Sequence, residues 1–218
     1  MSAPAVADYD ARWGYRKFDA RRYERRRYGS PGGRLRFRLL QHALRRALAD
    51  LPAGALVLDV PCGTGIVSSA LAARGFRMVG MDISPAMLAV AGERGDARGH
   101  VLADLENPPV RPESVDAVVC VRFLMHLPPE ARPRVLAGLA RMTHGPLVAT
   151  VCHPYTLKTL QRNVRRALGW QAKRSPRIDR RTLEAEVKAA GLRLERVIPT
   201  MPLLSEVWVA VMAREGGR

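Results

Sequence analysis

Apolar and polar positions follow two periods along this chain. Short apolar runs, bounded by glycine, proline or aspartate, predict strands at Leu56-Val57-Leu58 and ahead of Asp82. Further runs predict strands over residues 100–103, 115–121 and 147–152, and a final pair over 192–198 and 203–212. The run over 115–121 (VDAVVCV) is continuous rather than alternating, the pattern of a strand covered on both faces. A helical pattern separates the first two runs. Residues 34–51 predict an amphipathic helix with Leu40, Leu44, Ala47, Leu48 and Leu51 on one side and Arg34, Arg38 and Arg45 on another. Ser84 as N-cap and Pro85 in the first turn introduce a helix over 86–94. Pro128-Pro129-Glu130 opens another that runs to about Met142, and a helix over 182–190 ends at Gly191. Residues 19–27 can be helical but offer little apolar face, and Ser30-Pro31-Gly32-Gly33 reads as a breaker. The stretch 153–181 divides into a helix over 157–168 and loop.

The resulting order is β-α-β-α-β-β-α-β-insert-α-β-β. It predicts an α/β, doubly wound Rossmann-like sheet of seven strands, mostly parallel with an antiparallel last strand. A basic helical cap occupies residues 1–50, and the sheet domain residues 51–218, with 153–181 as a basic insert. No run approaches the ~18 apolar residues of a membrane span. The three cysteines, Cys62, Cys120 and Cys152, lack metal-site or disulfide-framework spacing. With an arginine- and tyrosine-rich start in place of a hydrophobic signal, these features predict a cytoplasmic protein.

The net charge of +16 refines this picture because it is unevenly placed. Residues 1–46 hold 13 basic and 4 acidic side chains, residues 153–181 hold 9 and 1, and the rest is near neutral at 14 and 15. A neutral core therefore carries two cationic segments.

The chemistry concentrates between residues 56 and 91. A strand ends in Asp59, a Gly63-Thr64-Gly65 turn follows, and the next strand ends in Asp82. Glycine permits a sharp turn and close approach of backbone to ligand, and an acid at a strand tip can accept both hydroxyls of a ribose. Ser68 stands where a nicotinamide-binding fingerprint needs its third glycine, and no Lys-Ser/Thr follows the glycines as a phosphate-binding loop requires. Asp59, just ahead of the turn, suits a cationic amine.

On these residues the chain resembles the class I S-adenosylmethionine-dependent methyltransferases, and within them the type 11 group of ubiquinone and menaquinone biosynthesis enzymes. Asp59-Val60-Pro61-Cys62-Gly63-Thr64-Gly65 resembles the family's first motif, with Pro61 where many members have glycine. Asp82-Ile83-Ser84 resembles the ribose-binding acid and its sequel, and Ala103-Asp104-Leu105 the adenine-side motif. Ser114 to Cys120 resembles the fourth strand, and Met125-His126-Leu127-Pro128 the turn after it. The likeness covers residues 51–150 and, more weakly, the tail. It implies that S-adenosyl-L-methionine is held by Asp59, Pro61, Gly63, Gly65, Asp82, Ile83, Met87, Asp104, Leu105 and Val121.

Because the donor is already activated, the protein's main task is alignment. His126 and His153, after the fourth and fifth strands, are candidate general bases, and Tyr155, Tyr23 and Tyr28 candidates to orient an acceptor. A carboxylate cluster for metal-dependent catechol methylation is absent after the fourth strand, so no metal is expected. Val121-Arg122-Phe123 replaces the motif of adenine-N6 enzymes. Cys120 lies within its strand, unlike the nucleophile of cytosine-C5 enzymes.

The expected acceptor is a small molecule, quinone or lipid, methylated on O, N or C. The cationic segments suit an anionic membrane surface, placing the enzyme peripherally on its inner face. Arginine interleaved with Tyr15, Phe18, Tyr23 and Tyr28 also suits RNA, the runner-up partner. A non-catalytic scaffold, or a protein that transfers something other than methyl, is the third reading. The intact Asp59, Gly63, Gly65, Asp82 and Asp104 argue against the scaffold.

Overall fold

The computed structural model describes residues 19–105, 107–157, 159, 161 and 177–216. Residues 1–18 and most of the helix predicted over 157–168 lie outside them. The strands are β1 (Leu56–Asp59), β2 (Arg77–Asp82), β3 (Gly99–Leu102), β4 (Ala117–Cys120), β5 (Leu147–Cys152), β6 (Leu192–Pro199) and β7 (Val207–Arg214). They form one sheet in the order β3-β2-β1-β4-β5-β7-β6. The first five are parallel, and β7 is antiparallel to both β5 and β6. This is the seven-stranded, doubly wound sheet expected from the sequence.

β1 is central, with Asp59 level with Gly80 of β2 on one side and Val119 of β4 on the other. Helices α1 (Ala20–Tyr28), α2 (Pro31–Ala47), α3 (Ile66–Ala72), α4 (Pro85–Gly92), α5 (Arg132–Arg141) and α6 (Arg180–Ala189) complete the described fold. Successive strand residues face opposite layers. Val57, Val119 and Val148 pack with Leu40, Leu44 and Leu71, whereas Leu58, Val118 and Ala149 pack with Leu136, Leu139 and Leu183. Both faces are apolar for this reason, and every residue of β4 is buried. Among the described residues, no helix is long and apolar enough to cross a membrane.

Ser30-Pro31-Gly32-Gly33 is the start of α2 rather than a break before it. Ser30 Oγ accepts the Gly33 N–H at 3.0 Å and Pro31 sits in the first turn. Gly33 is required by the corner with α1, since a Cβ there would lie 2.5 Å from the Arg27 carbonyl oxygen. α2 also ends at Ala47, short of Leu51. Asp19 caps α1 by accepting the Arg22 N–H at 2.9 Å, and Asp179 caps α6 through Thr182 at 2.7 Å. The last strand begins at Val207 rather than near 203, because Leu203 has a left-handed φ of 62° and is solvent-exposed.

A buried ion pair ties α5 to α6. Arg132 Nη1 lies 2.9 Å from Glu186 Oε1, and Arg132 Nε donates to the carbonyls of Leu124 and Leu127. Removing one partner strands a charge in the core. Glu186→Ala is expected to lower stability by about 3 kcal/mol in denaturant unfolding. Arg132→Met in that background should recover part of the loss.

Candidate functional site

The C-terminal ends of the parallel strands meet at one edge, and the loop after β1 crosses it. Cys62 N–H donates to the Met81 carbonyl at 2.9 Å, so the loop lies over the end of β2. The Val60–Pro61 peptide in this loop is cis. Gly63 (φ 54°) and Gly65 (φ 73°) both occupy the left-handed region. Their surroundings differ. A Cβ on Gly63 would face open space, whereas one on Gly65 would lie 3.0 Å from Ala91 Cβ on α4. Gly65 is therefore needed for packing between α3 and α4, and Gly63 leaves room on the cavity side. Gly80 was missed in the sequence. Its absent Cβ would sit 2.9 Å from Cys62 Sγ, so it makes space for the loop.

Asp82 joins these parts. Its Oδ2 accepts the Gly63 N–H at 2.8 Å, and its Oδ1 accepts the Ser84 N–H at 2.9 Å. A carboxylate has about four acceptor positions, so further capacity remains toward the cavity. Burial raises its pKa, against the lowering effect of the backbone hydrogen bonds.

Asp59 is 1 % exposed, and only its Oδ2 is satisfied, by Ser68 Oγ at 2.7 Å. Burial, with the neighbouring Asp82 charge, pushes its pKa up to about 7 despite that hydrogen bond. Oδ1 has no partner. A buried carboxylate with a free oxygen fits a cationic group in the adjoining cavity.

That cavity is about 120 Å³ and lies between the loop and α1. Asp59, Pro61, Gly63, Asp82, Ile83, Met87 and Val121 line it, with Cys62, Thr64, Ile66 and Val67. Tyr23, Tyr28, Arg122 and Phe123 complete the wall. Arg94 clamps α1 over the loop: its Nη2 contacts both Glu24 oxygens at 2.6 Å, and its Nε donates to the Thr64 carbonyl at 2.8 Å. Arg21 makes a second tie to Glu93. Although burial opposes it, hydrogen bonds from Arg94 and Thr64 hold the Glu24 carboxyl below its usual range.

The other expected residues lie outside this lining. Gly65 caps α3, and Asp104 and Leu105 are half-buried just past β3, whose Leu102 pairs with Asp82. His126 is on a short turn three residues after Phe123. Partial burial, with Arg122 nearby, lowers its pKa. His153 is 3 % exposed and stacks on Trp208 at 4.3 Å. Its Nδ1 accepts the Tyr155 N–H at 3.1 Å, so the neutral ring carries its proton on Nε2. Burial lowers its pKa. Tyr155 stands 53 % exposed beside the same rings.

Arg122 was not singled out by sequence. Its φ of 62° and the hydrogen bond from its N–H to Thr150 Oγ1 at 2.6 Å are products of the folded turn. A larger cavity, about 600 Å³, lies at the opposite end of the sheet. Its arginines are already paired, Arg196 with Asp50, Arg193 with Glu195 and Arg214 with Glu113, so it presents little unsatisfied chemistry.

Comparison with known proteins agrees with this architecture. Residues 57–144 match the family model of a methyltransferase domain. Magnesium protoporphyrin IX methyltransferase from Synechocystis PCC 6803, solved with bound SAH, superimposes with a TM-score of 0.72 at 21 % identity, covering 95 % of this chain and all of that one. The protein thus has the fold of the class I S-adenosylmethionine-dependent methyltransferases. Within that class, a ubiquinone biosynthesis O-methyltransferase of Hahella chejuensis is 40 % identical over 101 residues, covering 43 % of this chain and 40 % of that protein. A magnesium-protoporphyrin O-methyltransferase of Rhodobacter capsulatus is 33 % identical over 138 residues, 61 % of this chain and 58 % of that one. The chain therefore spans about half the length of these curated relatives.

The raised Asp59 pKa has a definite sign in stability. Between about pH 4 and 7 the folded protein holds a proton that the unfolded chain has released, so this group makes stability fall as pH rises. Asp59→Asn, which cannot ionise, should gain on the wild type by up to about 1.4 kcal/mol per pH unit across that window. Urea unfolding at pH 5 and pH 7 measures the difference.

Proposed function

We propose that this protein is an S-adenosyl-L-methionine-dependent methyltransferase acting on an oxygen nucleophile of a small-molecule acceptor. The observation that carries the reading is the pairing in one cavity of Asp82, with acceptor capacity left over, and Asp59, with a buried oxygen lacking a partner. A ribose diol matches the first and an α-amino group the second. Both relatives named above are O-methyltransferases by name, which supports oxygen over nitrogen or carbon. A quinone-like ring is one such acceptor.

When bound, the donor supplies an activated methyl: the acceptor oxygen bonds to that carbon as the sulfur–carbon bond breaks, leaving a neutral thioether. The protein's residues hold and align. Asp82 keeps the glycine loop in place while fixing the diol, and Met87 and Ile83 supply apolar walls. Correct positioning contributes up to about 7–11 kcal/mol of the barrier. Tyr23 and Tyr28 cover the site from α1 and shield it from water. The cavity is smaller than the ~300 Å³ at the low end of small-molecule pockets. A hydroxyl acceptor loses its proton during transfer. His126, whose pKa is held below the usual imidazole range by burial and the nearby Arg122, is the proposed recipient.

A second reading concerns where the reaction occurs. Leu203 and Leu204 are 63 % and 64 % exposed, and Leu157, whose N–H bonds the Leu203 carbonyl at 3.0 Å, is 50 % exposed. Leu157 itself belongs to the cationic segment 153–181, so the segment meets this apolar patch at the Leu203 carbonyl. The combination supports contact with an anionic membrane surface, each nearby basic residue contributing ~1 kcal/mol.

Asp82→Ala removes charge-assisted hydrogen bonds worth about 3 kcal/mol together. Affinity for S-adenosylmethionine should fall about 100-fold by calorimetry. Unchanged affinity would eliminate the cofactor assignment. Sedimentation with phosphatidylglycerol vesicles should exceed that with phosphatidylcholine, and Leu203→Glu with Leu204→Glu should abolish it. Equal, salt-insensitive sedimentation would remove the membrane reading.

A further inference from the structure

Among the described residues, five buried side-chain atoms make no well-formed hydrogen bond: Asp59 Oδ1, Arg122 Nε, His153 Nε2, Arg177 Nε and Glu206 Oε1, the last of which meets Arg177 as an ion pair. A folded protein leaves few such atoms unpaired, and their position is informative. All five stand at the same end of the sheet. Asp59 ends β1, Arg122 follows β4, and His153 follows β5. Glu206 immediately precedes β7, which runs antiparallel to β5, and its carbonyl accepts the His153 N–H at 2.8 Å. Ile178 N–H donates to the Cys152 carbonyl at 2.8 Å, which lays Arg177 alongside the end of β5. Asp59 belongs to the cofactor cavity. The other four form a second group beside it.

The turn after β4 covers this place. Thr150 and Cys152 share a face of β5. The Arg122 N–H donates to Thr150 Oγ1, and Met125 Sδ lies 3.9 Å from Cys152 Sγ. The Cys152 thiol is within electrostatic reach of both Arg122 and Arg177. Arg122 also lines the cofactor cavity, so the two sites are contiguous.

The charges do not cancel. Arg177 Nη2 lies 2.7 Å from Glu206 Oε1, and its side chain is 8 % exposed. Arg122 has no carboxylate partner among the described residues. The neutral His153 presents an Nε2 donor. The group therefore carries one uncompensated positive charge and several unused N–H donors at the edge of the cavity. A guanidinium's fork of donors matches a carboxylate or another planar oxyanion better than a neutral group.

We infer that Arg122 and Arg177, flanking Cys152, form an anion-binding subsite that holds a carboxylate-type group of the acceptor. The subsite rests on the proposed function for its role, because an anchored anion would position the acceptor beside the methyl donor. It adds that the acceptor is an acid, or carries one, at a point distinct from the oxygen that is methylated.

The test is a ligand-observed NMR titration of the full chain with benzoate and with benzamide, its uncharged analogue of the same size, in low-chloride buffer. It is run with and without S-adenosylhomocysteine. Benzoate should bind at least fivefold more tightly than benzamide. Arg177→Gln should abolish that preference, and Glu206→Gln, which removes the competing carboxylate, should raise benzoate affinity at least twofold. Both variants should retain wild-type affinity for S-adenosylhomocysteine, since neither residue lines the cofactor cavity. Equal binding of the two probes overturns the subsite. So does a preference that survives Arg177→Gln and is unmoved by Glu206→Gln. Should the preference appear while S-adenosylhomocysteine fails to bind, the subsite stands and the cofactor reading falls.

Discussion

The two hydrogen bonds accepted by Asp82 are the constraint on which the site depends. One oxygen holds Gly63 in the loop after β1, and the other holds Ser84 at the start of α4. They work only because β1 and β2 are parallel neighbours in a register that carries β2 two residues past the end of β1, setting Asp82 beside the loop. A charged acceptor held between two backbone donors fixes the loop more firmly than neutral turns would. The loop then floors the cavity, Ser84 caps α4, and α4 supplies Met87 to the wall. Asp82 is thus a structural strut as well as a candidate ligand, which is why its loss affects the cavity twice.

The arginines divide into two groups by what they meet. In and near the neutral core they are paired: Arg94 with Glu24 across the loop, Arg132 with Glu186 between helices, Arg196 with Asp50. On α1, Arg25, Arg26 and Arg27 are exposed, and they belong to the segment responsible for much of the chain's charge. At the functional end Arg177 is paired with Glu206 and Arg122 has no carboxylate partner among the described residues, yet both keep a buried Nε donor unused. An unpaired donor at a strand terminus is costly to keep unless something binds there.

The strand pattern was readable because each β-strand run is short, apolar and bounded by turn chemistry. β5 begins and ends where its run of apolar residues does. Helix starts were harder where a capping signal resembled a break, as at Ser30-Pro31-Gly32-Gly33. There a serine cap and a proline in the first turn share their composition with a loop, and the difference lies in the Gly33 N–H bond to Ser30. Glycine at 63 and 65 was visible as a pair, but their separate requirements were not. One depends on space and the other on Ala91, which is distant in sequence.

By itself the sequence determined the order of elements, the doubly wound sheet and the placing of Asp59 and Asp82 at strand ends. These follow from local periodicity and from residues whose backbone preferences are strong. Only the tertiary structure decided which side chains share a cavity. It put Tyr23 and Tyr28 over the glycine loop through Arg94 and Glu24, seventy residues apart. It turned Arg122 beside the cavity through a left-handed residue, and it set His153 against Trp208 rather than in the cavity wall. Such meetings depend on register between strands and on burial, and neither is a property of any single stretch of chain.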